Sequence, residues 1–168
     1  MRIALTLRVT EAQGYDELRD SISHDWLREA QSRNIQPLLI PNIRVSPEQY
    51  LKDLAPDLLI LTGGGDAGEY EERDRTEDIL FKYALEENLP VLGVCRGLQR
   101  MNQILGGALV PIEDHVCNNH QVTFMPEWHD IYGPHVSVNS YHNIAIDPHG
   151  VAPALRVAGT DTDGMIEA

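Results

Sequence analysis

Cys95 is the residue whose type and setting point most directly to chemistry. It lies between Gly93 and Gly97, so the local sequence reads Gly-x-Cys-x-Gly, the cysteine form of a nucleophile elbow. The apolar run before it predicts a strand, and the helical spacing after it predicts a helix that ends at Gly106. Glycines suit the strained turn of such an elbow, and a helix N-terminus favours the thiolate. The pattern favours a nucleophile over a buried core cysteine.

A thiolate that attacks an amide also needs hydrogen-bond donors for the oxyanion. The backbone N–H of Arg96, directly after the nucleophile, is one candidate donor. The turn Gly63-Gly64-Gly65 follows another predicted strand and is the candidate for a second donor, because glycine lets backbone approach a ligand closely. An ordinary strand-to-helix turn is the alternative interpretation of these glycines.

The sequence is less clear about the base. Six of the seven histidines lie between residues 115 and 149, and His142 has the most suggestive context, a polar loop after a predicted strand. A triad also needs an acid that orients the histidine. No His-x-Glu pair follows the elbow, and Glu167 has no histidine near it, so we expect no complete triad within these residues.

Metal binding is the competing use of the histidines. The spacing His115-x-Cys117-x-x-His120 offers three potential ligands. No second cluster accompanies it, so we predict no metal site. For His129 and His149 we expect surface positions with local hydrogen bonds. The charged loop 66–75 predicts a solvated face, and the role of Arg73-Asp74-Arg75, ion pairing or substrate binding, stays open.

Composition limits the classes of partner. The 168 residues carry a formal charge of −13, which argues against nucleic acid and anionic membranes. No apolar run reaches membrane-spanning length, and the first residues read as a strand rather than a signal peptide. Two cysteines fit a reducing compartment, so we expect a cytoplasmic protein.

The elements that must position Cys95 alternate between strand and helix over the first two-thirds of the chain. This alternation predicts an α/β fold with a mostly parallel central sheet and helices on both faces, whose site lies at the carboxyl ends of the strands. A capping Ser46 is expected to start the second helix. The predicted strands are 2–9, 36–40, 57–61, 91–94, 108–112, 120–124, 135–138 and a final hairpin of 154–158 with 165–167; the predicted helices are 15–33, 47–54, 76–88 and the one after Cys95.

A set of motifs in fixed order makes the chain resemble the class I glutamine amidotransferase-like superfamily, in its γ-glutamyl hydrolase branch. The motifs are Leu61-Thr62-Gly63-Gly64-Gly65-Asp66, Arg73-Asp74-Arg75, residues 89–102 around the elbow, Leu105-Gly106-Gly107, Val138-Asn139-Ser140-Tyr141-His142 and Asp163-Gly164-Met165-Ile166-Glu167-Ala168. A narrower resemblance is to the small γ-glutamyl-CDP-amidate hydrolases of capsule biosynthesis. It is carried by residues 15–20, by His24-Asp25-Trp26, by the short loop after Asp66, and by His115 with His120.

The resemblance implies a flavodoxin-like fold and a γ-glutamyl thioester on Cys95. It implies that the backbone N–H groups of Arg96 and of the Gly64-Gly65 turn hold the oxyanion. It implies that Gln99 and the loop Ser140-Tyr141-His142 bind the glutamyl group, with His142 as a binding residue and not the base. No cofactor is implied. The expected partner is a small γ-glutamyl compound, and a homodimer is the candidate assembly.

One departure concerns the end of the chain. In the resembled family the Asp-Gly-x-Ile-Glu-Ala strand leads to a His-x-Glu turn and a last helix, whereas these residues stop at Ala168. We therefore expect a single domain, 1–168, truncated at its carboxyl end. Two alternatives to a γ-glutamyl hydrolase stay open: a glutaminase subunit that delivers ammonia to a synthetase, and a non-catalytic ligand-binding fragment.

Overall fold

The structure is a computed structural model that describes residues 1–42, 45–113 and 115–168. The chain divides into two compact units, Met1–Arg100 and Met101–Ala168, which are described separately below. The prediction of one truncated domain stays a prediction.

The first unit is built on a four-stranded sheet. Its strands are β1 (Arg2–Thr6), β4 (Gln36–Ile40), β5 (Leu58–Leu61) and β6 (Val91–Gly93), in the order β4-β1-β5-β6, and every pairing is parallel. The helices of this part of the chain are α1 (His24–Ser32), α2 (Pro47–Leu54), α3 (Glu71–Glu86) and α4 (Arg96–Ile104), with the unit boundary falling inside α4. The predicted α/β architecture with a parallel sheet is confirmed.

Apolar residues of the strands form the core of this unit. Leu5, Leu59 and Leu61 have no exposed surface, and burying each such side chain contributes about 1.5–3 kcal/mol. Trp26 of α1 packs against the buried cluster of Ile3, Leu5 and Ile60. The apolar spacing of four residues therefore correctly predicted a helix that packs on the core in this part of the chain.

The start of the predicted helix 15–33 was wrong. Residues Leu18–Ser21 form strand β3, which pairs antiparallel with β2 (Arg8–Glu11) in a separate two-stranded sheet. The first strand was predicted over residues 2–9, but it ends at Thr6, and the residues from Arg8 onward belong to β2. Leu18 is 54% exposed. It was therefore wrongly included among the apolar residues of a buried helical face. Strand pairing satisfies these backbone groups instead of a helical turn.

Two helix starts also differ from expectation. Pro47 occupies the first turn of α2 as predicted, but Ser46 has φ of 52° and its side chain caps no backbone N–H. The third helix begins at Glu71, five residues before the predicted start at Thr76. Its acidic first turn, with Glu71, Glu72 and Asp74, suits the positive end of a helix.

The second unit is antiparallel. Strands β8 (Val116–Phe124) and β9 (His135–Tyr141) pair along their length, and β11 (Gly159–Thr160) adds to β8. A smaller sheet pairs β7 (Val110–Pro111) with β10 (Ile144–Ala145), and the helix α5 (His129–Tyr132) lies between β8 and β9 in the chain. The predicted antiparallel excursion is confirmed.

The final hairpin lies later than predicted. Its first strand is Gly159–Thr160 rather than 154–158, and Thr160 bridges Ile166. Asp161 forms the turn, since its Oδ1 accepts the backbone N–H groups of Asp163 and Met165. Across the described residues, no helix has the length and apolar character needed to cross a membrane.

Candidate active site

Cys95 occupies the bend between β6 and α4. Its backbone has φ of 52°, in the left-handed region that non-glycine residues rarely adopt, and it is exposed. The first turn of the helix forms at once, because the N–H of Gly97 donates to the Val94 carbonyl at 2.9 Å and the N–H of Gln99 donates to the Cys95 carbonyl at 3.2 Å. This is the strained strand-to-helix turn that the sequence predicts, with the thiol at the start of a nine-residue helix.

Gly97 is required by close packing and not by its backbone angles. A Cβ added there would overlap the carbonyl oxygen of Leu61 and lie 2.7 Å from the carbonyl carbon. The first turn of α4 therefore lies directly against the end of β5. Any larger side chain would push Cys95 away from that end.

The glycine turn lies beside the nucleophile. A Cβ added at Gly63 would be 3.3 Å from the Cys95 Cβ and 3.8 Å from its Sγ. The parallel pairing of Leu61 with Gly93 explains this, since both strands end at the same edge of the sheet. Gly64 and Gly65 have φ of 89° and 70°, so the turn uses a conformation that favours glycine. The oxyanion role of Gly64, Gly65 and Arg96 stays a prediction.

A buried ionic network supports both the glycine turn and the elbow. Arg73 donates to the carbonyl oxygens of Thr62, at 2.8 Å, and of Gly64. Its Nε also donates to the Glu77 carboxylate at 3.1 Å. The other Glu77 oxygen accepts from the guanidinium of Arg96, the residue after the nucleophile. One carboxylate thus joins the cation that holds the turn to the cation that follows Cys95.

The charges of this network are balanced within the protein interior. Arg73 and Arg96 are each 2% exposed and Glu77 is fully buried. Asp74 also accepts from Arg96. Burial lowers the pKa of Arg73, and the neighbouring Glu77 carboxylate acts in the opposite direction. The sequence left open whether Arg73 and Asp74 form ion pairs or bind substrate, and in this unit they form structural ion pairs. The prediction that loop 66–75 is a solvated face was wrong for Arg73, which is buried.

Sequence reasoning missed Glu77. A signal was present, because Glu77 lies four residues after Arg73 and in the same row of α3 as the buried Leu80 and Ala84. An acid among core-facing residues indicates a buried partner.

The residues predicted to bind the glutamyl group differ in their surroundings. In the first unit, Gln99 is 7% exposed. In the second unit, Ser140 is 2% exposed and its hydroxyl donates to the His115 carbonyl, whereas Tyr141 is 65% exposed. The substrate-binding roles stay predictions.

His142 and Glu167 are close neighbours in the second unit. The Glu167 Oε1 lies 3.5 Å from the Nε2 of His142 and 3.5 Å from the Nε2 of His120. The expectation that Glu167 lacks a nearby histidine was wrong. The backbone N–H of Glu167 donates to the Gly159 carbonyl at 3.0 Å, and the strand of Gly159 pairs with β8, which carries His120. The contact with Glu167 raises the pKa of His142, while burial acts to lower it.

The ligand spacing around Cys117 does not form a group in space. Cys117 is exposed, and among the described residues the groups able to hold a metal ion are His115 with His142 and Glu167, and His115 with Asp161 and Asp163. The Nε2–H of His129 donates to the Phe124 carbonyl at 3.0 Å, a local contact as expected. The sequence predicts Asp161 as a residue of the turn in the final hairpin and not as a candidate site residue.

The match to a protein family spans almost the whole chain. The description of the family is Peptidase C26, and the match covers residues 3–168. The chain belongs to the Peptidase C26 family. The resemblance drawn from the ordered motifs is thereby confirmed at the level of the family.

Named relatives of this Peptidase C26 member include two hydrolases. A γ-glutamyl-CDP-amidate hydrolase from Campylobacter jejuni is 31% identical over 159 residues, which cover 89% of this chain and 74% of the relative. A γ-glutamyl-γ-aminobutyrate hydrolase from Escherichia coli O157:H7 is 26% identical, over 79% of this chain and 65% of that protein. These relatives support a glutamine amidotransferase-like hydrolase.

Solved structures agree on the fold. A glutamine amidotransferase from Thermotoga maritima superposes with a TM-score of 0.70 at 15% identity, over 98% of this chain and 69% of that one. At this identity the likeness concerns the fold alone. It confirms the predicted class I glutamine amidotransferase type of fold.

Proposed function

We propose that this Peptidase C26 member is a cysteine-dependent γ-glutamyl amide hydrolase. The observation that carries the proposal is the exposed Cys95 on a left-handed elbow whose thiol lies beside the glycine turn, with the Gly63 Cβ position 3.8 Å from Sγ. A nucleophile, a helix N-terminus and backbone N–H groups at one sheet edge are the parts that acyl transfer needs.

The reaction proceeds in two steps. The Cys95 thiolate attacks the γ-carbonyl carbon and forms a C–S bond, while the N–H groups of Arg96 and of Gly64 or Gly65 hold the negative oxygen. The C–N bond then breaks, and the amine leaves after it takes up a proton. Water attacks the thioester and gives up its protons to the solvent, which also supplies the proton that the leaving amine takes up. The C–S bond breaks, and glutamate is released with the thiolate restored.

The supporting residues have distinct parts in this proposal. Arg73 holds the glycine turn by donating to the carbonyl oxygens of Thr62 and Gly64. A guanidinium only donates, so this support does not use the N–H groups of the turn, which the proposal assigns to the substrate. Gln99 contacts the glutamyl group from the first turn of α4. In the loop Ser140-Tyr141-His142, the exposed Tyr141 is the substrate contact, and the buried Ser140 hydroxyl keeps the loop in place through the His115 carbonyl.

The identity of the leaving group is a second and more specific part of the proposal. We take γ-glutamyl-CDP-amidate as the first substrate to test, because the relative of that name is 31% identical over 89% of this chain. γ-Glutamyl-γ-aminobutyrate is the comparison, from the name of the second relative.

The test measures glutamate release from both compounds and from glutamine, without any partner protein. We expect Cys95→Ala to lower the rate by on the order of 10³-fold or more. Cys117→Ser is the matched control, since it changes the other exposed cysteine, and it should keep the original rate. Mass spectrometry of the protein with substrate should detect one glutamyl group added, and none in Cys95→Ala.

Three outcomes would contradict the proposal. Equal rates in Cys95→Ala and the original protein would exclude Cys95 as the nucleophile. Release from glutamine only when a synthetase is added would favour the ammonia-delivering alternative. Binding of γ-glutamyl compounds with no turnover and no thioester would favour the non-catalytic alternative.

A further inference from the structure

Three imidazoles and one carboxylate converge in the second unit. The ring of His115 lies with its centroid 4.8 Å from that of His120 and 5.3 Å from that of His142. Glu167 Oε1 is 3.5 Å from the Nε2 atoms of both His120 and His142. These four residues, called the histidine cluster below, come from three separate segments of the chain.

The histidine cluster holds buried polar atoms that no described residue satisfies. The Nδ1 atoms of His115, His120 and His142, the Nε2 of His120 and the Oε1 of Glu167 are buried and lack a hydrogen-bond partner within the described part of the chain. His115 itself is only 6% exposed. Buried polar atoms are nearly always partnered, because desolvation without a partner costs free energy. So many orphaned donors and acceptors in one place indicate a missing partner.

The donor atoms have the spacing and chemistry of a metal site. One ligand atom each from His115, His142 and Glu167 lie within 4.8 Å of one another. Nitrogen and oxygen ligands stand about 2.0–2.2 Å from zinc, so neighbouring donors of a tetrahedral ion are separated by roughly 3.4 Å. Small side-chain rotations would therefore close this group around one ion. Two imidazoles with one carboxylate suit zinc and its neighbours in the first transition series, and not magnesium or calcium.

We propose that His115, His142 and Glu167 bind a divalent transition-metal ion of the zinc class. The ion joins the residue before β8, the residue after β9 and the segment that follows the last turn. Three protein ligands leave one position of a tetrahedral ion for water or another small ligand. The site does not depend on the proposed activity of Cys95.

Asp161 is the positioning residue for this site. Its Oδ2 lies 3.4 Å from the His115 Nε2, and its Oδ1 is held by the backbone N–H groups of Asp163 and Met165. Asp161 Oδ2 is itself buried without a hydrogen-bond partner among the described residues, and so is the His115 Nδ1. Once an ion is bound at Nδ1, the carboxylate beside Nε2 would accept a hydrogen bond from the Nε2 proton and orient the ring. The second donor group, His115 with Asp161 and Asp163, is disfavoured because Asp161 Oδ1 is held by two backbone N–H groups and Asp163 is exposed.

The test loads the chelator-stripped protein with Zn²⁺, removes unbound ion and measures the metal content, with affinity from competition against a chromogenic chelator. We expect one zinc per chain, a rise in melting temperature with zinc, and no such rise with Mg²⁺. His115→Ala, His142→Ala and Glu167→Gln should each weaken binding by about tenfold or more. His149→Ala, an exposed histidine of the same unit, and Cys117→Ser are the matched controls and should bind as the original protein does.

Two further measurements separate the site from a fold defect. Asp161→Asn should weaken zinc binding by about 10–100-fold, with the metal-free melting temperature little changed. The absorption spectrum of the Co²⁺-loaded protein should show nitrogen and oxygen ligands without a thiolate band. The proposal is overturned if the original protein binds no zinc, if the three ligand variants bind zinc as it does, or if Cys117→Ser loses the metal.

Discussion

Arg73 Nε donates to Glu77 Oε1 at 3.1 Å, and neither side chain is more than 2% exposed. The rest of the Arg73 guanidinium holds the carbonyl oxygens of the turn beside Cys95, while Glu77 also accepts from Arg96 and from the Thr6 hydroxyl at 2.9 Å. A carboxylate of α3 therefore supports β1, the glycine turn and the elbow at once. Removing it should have consequences at each of these places.

We expect Glu77→Gln to lower the free energy of unfolding by about 3–5 kcal/mol, because two buried guanidinium groups lose their shared counter-charge. Urea denaturation monitored by circular dichroism measures the change. The matched control is Glu29→Gln of α1, which breaks the exposed pair with Arg33, the residue that follows the helix, and should cost less than about 1 kcal/mol. Similar losses in the two variants would show that the buried network is no more important than a surface pair.

Gly97→Ala should be severely destabilising, by about 3 kcal/mol or more, because the new Cβ overlaps the Leu61 carbonyl and backbone must move. Gly106→Ala is the comparison. Gly106 has φ of 93° and open space around its Cβ position, so only conformational strain of about 1–2 kcal/mol is expected. Chemical denaturation of the two variants side by side checks the difference. An equal cost would mean that α4 does not pack against β5 as described.

Cys95→Gly should be more stable than Cys95→Ala, by about 1 kcal/mol. The left-handed φ of 52° strains any residue with a Cβ, and glycine relieves that strain. Part of the gain is offset by the larger unfolded-state entropy of glycine. Melting temperatures of the two variants provide the measurement, and both should lack the proposed activity. If the alanine variant proved the more stable, the elbow would not be under strain.

Asn102 anchors the end of α4 within the second unit. Its amide nitrogen donates to the carbonyls of Gly150, at 2.8 Å, and of Ala108, at 3.1 Å, and its Oδ1 accepts the Ala152 N–H at 2.7 Å. Asn102→Ala should cost about 3 kcal/mol, because the Ala108 carbonyl and the Ala152 N–H lose the fully buried Asn102 as partner, and the Gly150 carbonyl keeps only its bond from the Ala108 N–H.

The control for Asn102 is Asn139→Ala, at an exposed position of β9. It should change stability by less than about 1 kcal/mol. The two variants are compared by urea denaturation, which also reports the surface exposed on unfolding through its slope. A loss at Asn102 no greater than at Asn139 would contradict the anchoring role.

Local sequence determined the elbow and the sheet that carries it. We could predict β4, β5 and the elbow from apolar runs and from the Gly-x-Cys-x-Gly pattern. Strand burial, helical spacing and a strained turn each depend on residues that are close in sequence. Gly97 belongs to the same class, although only the structure identified the Leu61 carbonyl as the atom that it must avoid.

Tertiary structure alone decided which distant polar groups meet. From its sequence, Leu18 is predicted to be helical, but its segment pairs with β2. Glu167 has no histidine near it in sequence, but its backbone bond to Gly159 and the pairing of β11 with β8 accompany a position 3.5 Å from His120 and His142. The role of Glu77 likewise became clear only in the structure, where its carboxylate accepts from both Arg73 and Arg96. The physical reason is that buried charges and backbone polar groups need hydrogen-bond partners. Packing of the fold, and not separation along the chain, decides which groups lie close enough to be those partners.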